Sequence, residues 1–314
     1  MGKERGTSRS MPHMNIKGEL GTVKVSSTPD SYDELSKKTN DGSNLDRGGL
    51  TKKHTQKEAK KDTAIKKELG DKLYNETKNA INEIIKNSDF GTFRSLRSTI
   101  DMIDDHFKSQ VETHDSSGAK DVAGRRENEN KWFGTDKNAS PETYAKYGML
   151  VSKDVGEAFA TAPSYGGKIG KGGQVLVTFK DSSVYGRTTL TTKDSLDYDS
   201  SNFIPSLITR DGIRSLSGIA YGWWSADGTA KAEATHISDA FKSGAKDGTS
   251  IYRTRKGDEY FEVQYHGKYT VRDIETVTIH DYQSIPKSTV AKLEKYGGKA
   301  YKLINGKRVE YHGD

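Results

Sequence analysis

The sequence predicts an α+β domain over residues 65–314, with helices early in the chain and strands dominating later. Apolar residues recur at helical spacing between about Thr63 and Lys86, which indicates a helix with one buried stripe. The segments 174–180 and 259–279 are rich in β-branched and aromatic residues or alternate between apolar and polar ones, which is typical of strands. No internal repeat is present. We therefore expect one mixed sheet domain preceded by a polar segment.

The first 64 residues show almost no apolar periodicity and are rich in Lys, Ser, Thr, Asp and Gly. Such a segment buries too little apolar surface to offset its ordering entropy, so we expect a disordered basic and polar tail at 1–64. The basic run Thr51–Lys67 could bind nucleic acid or acidic surfaces. A solvated linker that feeds a helix is the favoured interpretation, because acidic residues interrupt the run and no aromatic residues interleave it.

Composition excludes several classes of protein and site. The chain of 314 residues contains no cysteine, which excludes disulfides, thiolate metal sites and a cysteine nucleophile. No segment approaches the ~20 consecutive apolar residues that span a bilayer, and the N-terminus lacks the apolar region of a secretory signal. The lack of a long apolar segment predicts no membrane partner. The eight histidines show no metal-binding spacing, so we expect no metal site.

Further elements follow in chain order. Ser95 is a candidate N-cap for a helix that carries Leu96, Ile100 and Ile103. Ser140-Pro141-Glu142 has the features of a helix start. The remaining predictions are a strand at 90–93, a helix at 153–161, strands at 174–180 and 185–192, helices at 237–243 and 284–296, and a hairpin turn at Asn305-Gly306.

The stretch 259–279, EYFEVQYHGKYTVRDIETVTI, contains two alternating runs on either side of His266-Gly267 and predicts a β-hairpin. Alternation places Glu262 on one face of its strand together with Tyr260 and Gln264, and places Phe261, Val263 and Tyr265 on the other. If the second face is the core, Glu262 is only a solvent-facing residue. The other interpretation is that Glu262 is a catalytic carboxylate.

Two further segments could bind a ligand. Arg94 follows Phe93 at the end of the first predicted core strand, where a guanidinium can grip a pyrophosphate with two hydrogen bonds. The alternative is a surface arginine, and Arg97 competes for the role. The segment 107–134 places Gln110 and Glu112 in a long polar region, which is either a functional loop or simply an exposed one.

Five motifs occur in order: F-x-S-Q-x-E-T-x-x-S-S-G, R-x-x-x-E-x-x-x-F-G, Y-G-x-L, R-T-T-x-T-x-x-D-S and Y-x-E-x-Q-x-H-G, at 107–118, 125–134, 147–150, 187–195 and 260–267. Together they resemble a domain at the C-terminal end of minor head proteins of tailed bacteriophages, which also occurs alone in bacterial proteins. The resemblance implies a phage or prophage protein in the virion or in the cytoplasm of the infected bacterial host. A polar tail stands where that family has a head-morphogenesis domain, which argues against capsid building.

Glu262 and the following K-Y-T-V-x-D-I segment also resemble the last catalytic segment of ADP-ribosyltransferases. That family uses an arginine on the first strand, a Ser-Thr-Ser-like strand and a late glutamate, which here match Arg94, then Thr188-Thr189-Thr191 or Ser152, then Glu262. The resemblance implies that NAD is the substrate. It further implies that Arg94 holds the phosphates, that Thr189 or Ser152 shapes the nicotinamide side, and that Glu262 is the catalytic acid group.

The same resemblance implies that a cofactor-binding cleft is completed by Gln110, Glu112, Tyr260 and Gln264. Tyr260 stands where members that modify arginine carry Gln or Glu, so an arginine acceptor is not expected. The leading hypothesis is an enzyme that transfers ADP-ribose from NAD to a macromolecular acceptor or hydrolyses NAD. The alternatives are a non-catalytic virion protein that contacts DNA or the portal through its basic tail, and a toxin with the same chemistry.

Overall fold

The computed structural model describes residues 11–14, 20–23, 50, 52–114, 121–136, 138–160, 174–195, 201–221, 228–254 and 260–314. The helices in these ranges are α1 (Lys52–Lys86), α2 (Leu96–Asp104), α3 (Gln110–Thr113), α4 (Val122–Phe133), α5 (Val155–Ala160), α6 (Asp181–Val184), α7 (Ala230–Lys242), α8 (Gly248–Arg253) and α9 (Lys287–Lys295). The strands are β1 (Met11–Met14), β2 (Leu20–Val23), β3 (Ser88–Ser95), β4 (Lys146–Ser152), β5 (Gln174–Phe179), β6 (Thr188–Thr191), β7 (Ser206–Thr209), β8 (Gly212–Ile213), β9 (Glu262–Tyr265), β10 (Ile274–His280), β11 (Lys299–Ile304) and β12 (Lys307–Glu310).

Within the described ranges, ten strands form one sheet in the order β12-β11-β10-β5-β3-β4-β9-β6-β7-β8, and β1 pairs separately with β2. Strands β10 and β11 are parallel, and the other neighbours in the sheet are antiparallel. Helices cover the sheet, so the predicted α+β class is confirmed.

The two faces of the sheet differ in what they bury. The core face carries Phe90, Leu150, Val263 and Val177, which pack in the largest apolar cluster with side chains of α1, α2, α7 and α9. The opposite face, called the glutamate face because it carries Glu262, is covered by two smaller clusters that include residues of α4 and α5. Neither face of the central strands is left to solvent.

Helix α1 bends sharply at Gly70, whose φ of 73° and ψ of 159° are not helical. The hydroxyl of Tyr74 donates to Asp62 at 2.9 Å, although twelve residues of straight helix would separate the two by about 18 Å. The chain therefore turns back on itself at a position where glycine bears the positive φ without strain.

Helix α1 begins at Lys52, not near Thr63, so the prediction of a disordered tail was wrong for residues 52–64. His54, Glu58 and Asp62 lie one turn apart and dock through hydrogen bonds to Pro205 O, Leu207 N and Leu216 N. Apolar spacing does not reveal this stripe, because its contacts are polar. Of the rest of the predicted tail, only the β1–β2 ladder and buried Leu50 are described.

The predicted hairpin at 259–279 was also wrong, although both of its strands exist. Strand β9 pairs with β4 and β6, β10 pairs with β5 and β11, and three strands lie between β9 and β10. The connection places buried Tyr269 in the main core, where its carbonyl accepts from Phe107 N, and ends in a 3-10 turn capped by Thr270. Alternation identifies a strand but does not identify its partner.

Other local predictions are confirmed. The hydroxyl of Ser95 caps α2 by accepting from Ser98 N at 3.1 Å. Asn305 and Gly306, with φ of 50° and 76°, form the turn between β11 and β12. The helix start at Ser140 gives only a 3-10 turn, Pro141–Thr143, before the chain enters β4.

Candidate active site

The centre of the glutamate face is built from three neighbouring strands, β4, β9 and β6. Glu262 lies opposite Thr191 of β6, and Gln264 lies between Tyr147 of β4 and Thr189 of β6. Residues paired across strands share a face, and alternate residues along a strand do so too. The strand pairing therefore gathers these five side chains on one surface.

Glu262 is 2% exposed, and two N–H donors meet its Oε1 atom. The amide Nε2 of Gln264 donates at 2.7 Å, and the backbone N–H of Ser195 donates at 3.4 Å. Burial, together with the negative charge of Asp194, raises the pKa of Glu262 well above its usual value, against the opposing effect of these hydrogen bonds. The free protein therefore favours the neutral, protonated form of this carboxyl group.

Asp194 and Ser195 follow β6 and are themselves held in place. The hydroxyl of Tyr260 donates to Asp194 at 3.2 Å. The preceding residue, Lys193, forms a buried ion pair with Glu233 of α7 at 3.4 Å. This arrangement keeps a second carboxylate beside Glu262, and it gives Tyr260 a contact with the site through Asp194.

Gln264 and Thr189 continue the polar network away from Glu262. Gln264 also donates to Thr191 Oγ1 at 3.0 Å, and its Oε1 accepts from the Thr189 hydroxyl at 2.8 Å. Thr189 Oγ1 lies 2.9 Å from Nε2 of His266, whose ring meets the ring of Phe133 at 4.5 Å between centroids. Burial lowers the pKa of His266 well below its usual value, so the ring is held neutral.

A second buried carboxyl group, Glu129 of α4, docks that helix on β4. Its two oxygens accept from Ala145 N and from the Tyr147 hydroxyl, both at 2.8 Å. Burial raises the pKa of Glu129 to about 7 in spite of these donors and the nearby cations Lys146 and Arg125. Tyr147 therefore lies between the carboxyl group of Glu129 and the amide of Gln264.

The structure brings four of the predicted site residues together: Glu262 and Gln264 in direct contact, Thr189 on Gln264, and Tyr260 through Asp194. Alternation placed Tyr260, Glu262 and Gln264 on one face, which is confirmed. The interpretation of Glu262 as a solvent-facing residue is wrong, because both faces of β9 are buried.

Arg94 does not join this group. It pairs with Val175 on the core face, and its guanidinium lies 4.6 Å from the ring centroid of Phe107. Gly91 of β3 and Glu262 of β9 both pair with Met149 of β4, so they lie at the same height in the sheet. Arg94 is three residues further along β3, and β3 is two strand spacings from β9. These two displacements leave about 14 Å between the Cα atoms of Arg94 and Glu262. The prediction that both residues line one cleft was wrong, because it required a register that sequence does not specify.

Ser152, the alternative to Thr189, is also outside the site. Its hydroxyl accepts from Asp154 N at 3.1 Å, and its backbone N–H donates to Thr249 at 2.9 Å. It lies three residues beyond Met149, the β4 partner of Glu262, and thus belongs to the core face. The Ser152 hydroxyl therefore stabilises the turn between β4 and α5.

Gln110 and Glu112 belong to a capping structure at α3. Glu112 accepts from Ser109 N at 2.6 Å and lies 2.7 Å from His106 Nε2, while Ser109 caps the helix in return. Gln110 is the half-buried first residue of the same turn. The segment is anchored on the core face by Phe107, so the prediction that these two residues share a cleft with Glu262 was wrong.

Sequence reasoning missed His266 and the pair Asp194-Ser195 as members of the site, whereas Thr191 belongs to the predicted threonine strand. His266 continues the alternation that begins at Glu262 and Gln264, and this signal could have identified it. The pair Asp194-Ser195 gave no such signal, because its position depends on the pairing of β6 with β9.

Several residues of the five ordered motifs have packing roles. A Cβ atom on Gly148 would lie 2.2 Å from the carbonyl oxygen of Gly91, so only glycine permits this approach of β4 to β3. Phe107 stacks on Phe179 at 5.7 Å between ring centroids, and Gly134 ends α4 with a φ of 71°. Much of the motif series therefore specifies the fold, while Glu262 and Gln264 supply the polar centre.

In the described ranges, no group of three or more His, Asp or Glu residues is placed to hold a metal ion. No described helix is both long enough and apolar enough to cross a membrane. Comparison of the chain with protein-family models, with curated proteins and with solved structures found no match.

Proposed function

We propose that this domain is an ADP-ribosyltransferase-like enzyme that cleaves NAD and transfers ADP-ribose to a macromolecular acceptor. The observation that carries the proposal is the buried carboxyl group of Glu262, held at its Oε1 by Gln264 beside a strand of threonines. The strand order gives further support. The strands that bear Arg94, Ser152, Glu262 and Thr189 are consecutive neighbours, β3-β4-β9-β6, even though Arg94 and Ser152 point to the other face.

The reaction breaks the bond between the ribose C1′ atom and the nicotinamide nitrogen. Nicotinamide leaves as a neutral molecule with the bonding electron pair, and positive charge develops at C1′ in an oxocarbenium-like state. An ionised carboxylate of Glu262 near the ribose stabilises that charge. An acceptor nucleophile then bonds to C1′ and releases its proton, and water in the same place gives free ADP-ribose.

The protonation state of Glu262 links the site to this chemistry. In the free protein, burial and the charge of Asp194 favour the neutral acid. A bound nicotinamide cation favours ionisation, because an opposite charge nearby lowers the pKa of a carboxyl group. Activity is therefore expected to increase with pH as Glu262 ionises in the complex.

The proposal requires that NAD reach the buried carboxyl group of Glu262. Glu262 is 2% exposed, and on the same face Phe133 covers His266. NAD can reach the carboxyl group only when residues that cover the glutamate face are displaced. Exclusion of water after binding would strengthen the electrostatic effect of Glu262 on the developing charge.

The alternative, a non-catalytic virion protein that contacts DNA or the portal, depended on a mobile basic tail. Residues 52–67 of the basic run instead form the start of α1, docked through His54 and Glu58. Such an arm would have to come from residues before Leu50. We keep this function as the conclusion to draw if the enzymatic test fails.

The test measures nicotinamide release from NAD by the purified protein, with and without bacterial lysate as a source of acceptors. The matched variant is Glu262→Gln, which keeps the shape of the neutral acid and cannot ionise. We expect kcat to fall by about 10²–10³-fold without a change in thermal stability, the scale for loss of one transition-state electrostatic contact. If the folded wild-type protein releases no nicotinamide under either condition, the enzyme proposal is wrong and the chain should be sought in virions.

A further inference from the structure

Four buried side chains form a continuous hydrogen-bond chain that ends at Glu262. It runs from His266 Nε2 to Thr189 Oγ1 at 2.9 Å, from Thr189 to Gln264 Oε1 at 2.8 Å, and from Gln264 Nε2 to Glu262 Oε1 at 2.7 Å. Each of the four residues is at most 2% exposed. Water therefore cannot readily replace any of these hydrogen-bond partners.

The orientation of the Gln264 amide is fixed by Thr191. The single hydroxyl hydrogen of Thr191 is donated to the carbonyl oxygen of Lys193 at 2.9 Å, so Thr191 can only accept from Gln264 at 3.0 Å. The NH₂ group of Gln264 must therefore face Thr191 and Glu262, and its oxygen must face Thr189. The amide has this orientation whether Glu262 is ionised or neutral.

The position of the hydrogen on the His266 ring is also fixed by its neighbours. Gln264 Oε1 has no hydrogen, so the one hydroxyl hydrogen of Thr189 is donated to it. Thr189 Oγ1 must then accept from His266 Nε2, which therefore carries a hydrogen. Every donor in the chain points from His266 toward Glu262.

We propose that His266 is a positioning residue, which acts through Thr189 and Gln264 to hold the carboxyl group of Glu262 in one place. With hydrogen on Nδ1 only, Nε2 would become an acceptor and would take the Thr189 hydrogen away from Gln264. The Gln264 amide would then lose one of the two contacts that keep its NH₂ group on Glu262, and only the contact with Thr191 would remain. The catalytic consequence rests on the proposed function, whereas the chain itself is a property of the free protein.

The first measurement needs no substrate. In protein labelled with ¹⁵N-histidine, we expect His266 to be the neutral tautomer with hydrogen on Nε2, because burial disfavours its charged form. Hydrogen on Nδ1 alone would reverse the hydrogen bond between His266 and Thr189 and overturn the proposal. The assignment of the His266 signal can be made with a His266→Gln variant, whose amide can replace the donor.

The second measurement breaks the chain two links away from Glu262. Thr189→Val removes the hydroxyl at nearly constant volume, and Thr189→Ser restores it in a matched control. The Gln264 hydrogen bond favours the ionised form of Glu262, so the ¹³C-carboxyl titration of Glu262 should move to higher pH in Thr189→Val and return in Thr189→Ser. An unchanged titration in Thr189→Val would overturn the proposal.

Enzyme kinetics separate this inference from the proposed function. If NAD is the substrate, Thr189→Val should lower kcat by roughly tenfold with little change in KM, the scale of one lost hydrogen bond. Thr189→Ser should recover most of that loss. If the Glu262 titration moves but the wild-type protein releases no nicotinamide, the hydrogen-bond chain stands and the assignment of NAD fails.

Discussion

Arg94 and Glu262 project from opposite faces of the sheet, although only strand β4 lies between their strands. The guanidinium of Arg94 lies against the ring of Phe107 in the main core, whereas the carboxyl group of Glu262 meets Gln264 and Ser195. The two residues that sequence reasoning assigned to a single NAD site therefore have separable roles, and each can be changed without a direct effect on the other.

The first prediction concerns Arg94. Arg94→Gln should leave the KM for NAD unchanged, because the side chain is on the core face. It should lower the free energy of unfolding by about 0.5–1 kcal/mol through loss of the cation–π contact with Phe107. Chemical denaturation and nicotinamide release measure the two effects. A large increase in KM with unchanged stability would return Arg94 to the cofactor site.

The second prediction concerns pH. Glu129 has a pKa of about 7 in the folded protein, above the value of about 4.5 expected when it is exposed. The folded state then binds the proton more tightly, so the stabilisation that this proton gives to the folded state is fully present below about pH 4.5. It is lost as pH rises to about 7, by about 3 kcal/mol. Unfolding in urea at about pH 5 and about pH 8 measures the decrease.

Glu129→Gln is the matched variant, because its side chain does not titrate. We expect its free energy of unfolding to gain about 2.5 kcal/mol relative to the wild-type protein between those two pH values, whatever constant offset the lost acceptor introduces. Parallel pH profiles for the two proteins would contradict the raised pKa of Glu129.

The third prediction concerns the corner in α1. Gly70→Ala should destabilise the protein by about 1–3 kcal/mol, because an L-residue is strained at a φ of 73° and a ψ of 159°. An added Cβ atom would meet nothing within 4 Å, so the cost comes from the backbone alone. Lys67→Ala, on the exposed side of the same helix, is the control and should be close to neutral. Equal thermal stability of the two variants would argue against the corner.

The fourth prediction concerns the anchor of the first half of α1. Glu58 is 1% exposed and accepts from Ser215 Oγ at 2.7 Å, from Leu207 N and from the Arg214 guanidinium. Glu58→Ala removes the acceptor of Leu207 N and the buried charge that faces Arg214, and it should cost about 3–5 kcal/mol. Hydrogen exchange should become faster in 52–69 than in 71–86.

Lys60→Ala is the control for that experiment, since Lys60 is exposed on the same helix. It should leave exchange in both halves of α1 unchanged. Uniform loss of protection across the chain in Glu58→Ala would mean that the first half of α1 is not a separate unit.

Much of the local structure could be predicted from the sequence. The cap at Ser95, the buried strand β5 and the turn at Asn305-Gly306 each depend on a few neighbouring residues with one dominant preference. The common face of Tyr260, Glu262 and Gln264 also follows from alternation alone. These features required no knowledge of the rest of the fold.

The pairing of strands could not be predicted in the same way. Glu262 became a buried residue because β9 inserts between β4 and β6, which are distant from it in sequence. The face on which Arg94 lies depends on the register of β3 against β4 and of β4 against β9, and a shift of one residue would reverse it. The start of α1 was missed for a different reason, since its buried stripe contains His54 and Glu58 in place of apolar residues.

The insertion of β9 between two earlier strands has a consequence for synthesis of the protein. Until Glu262–Tyr265 leaves the ribosome, β4 and β6 each present an open edge toward the gap that β9 will fill. A nascent chain that stops before Glu262 has two unpaired strand edges and lacks the buried carboxyl group. The sheet is therefore continuous only after β9 has been synthesised, and chains truncated before Glu262 should aggregate through these edges.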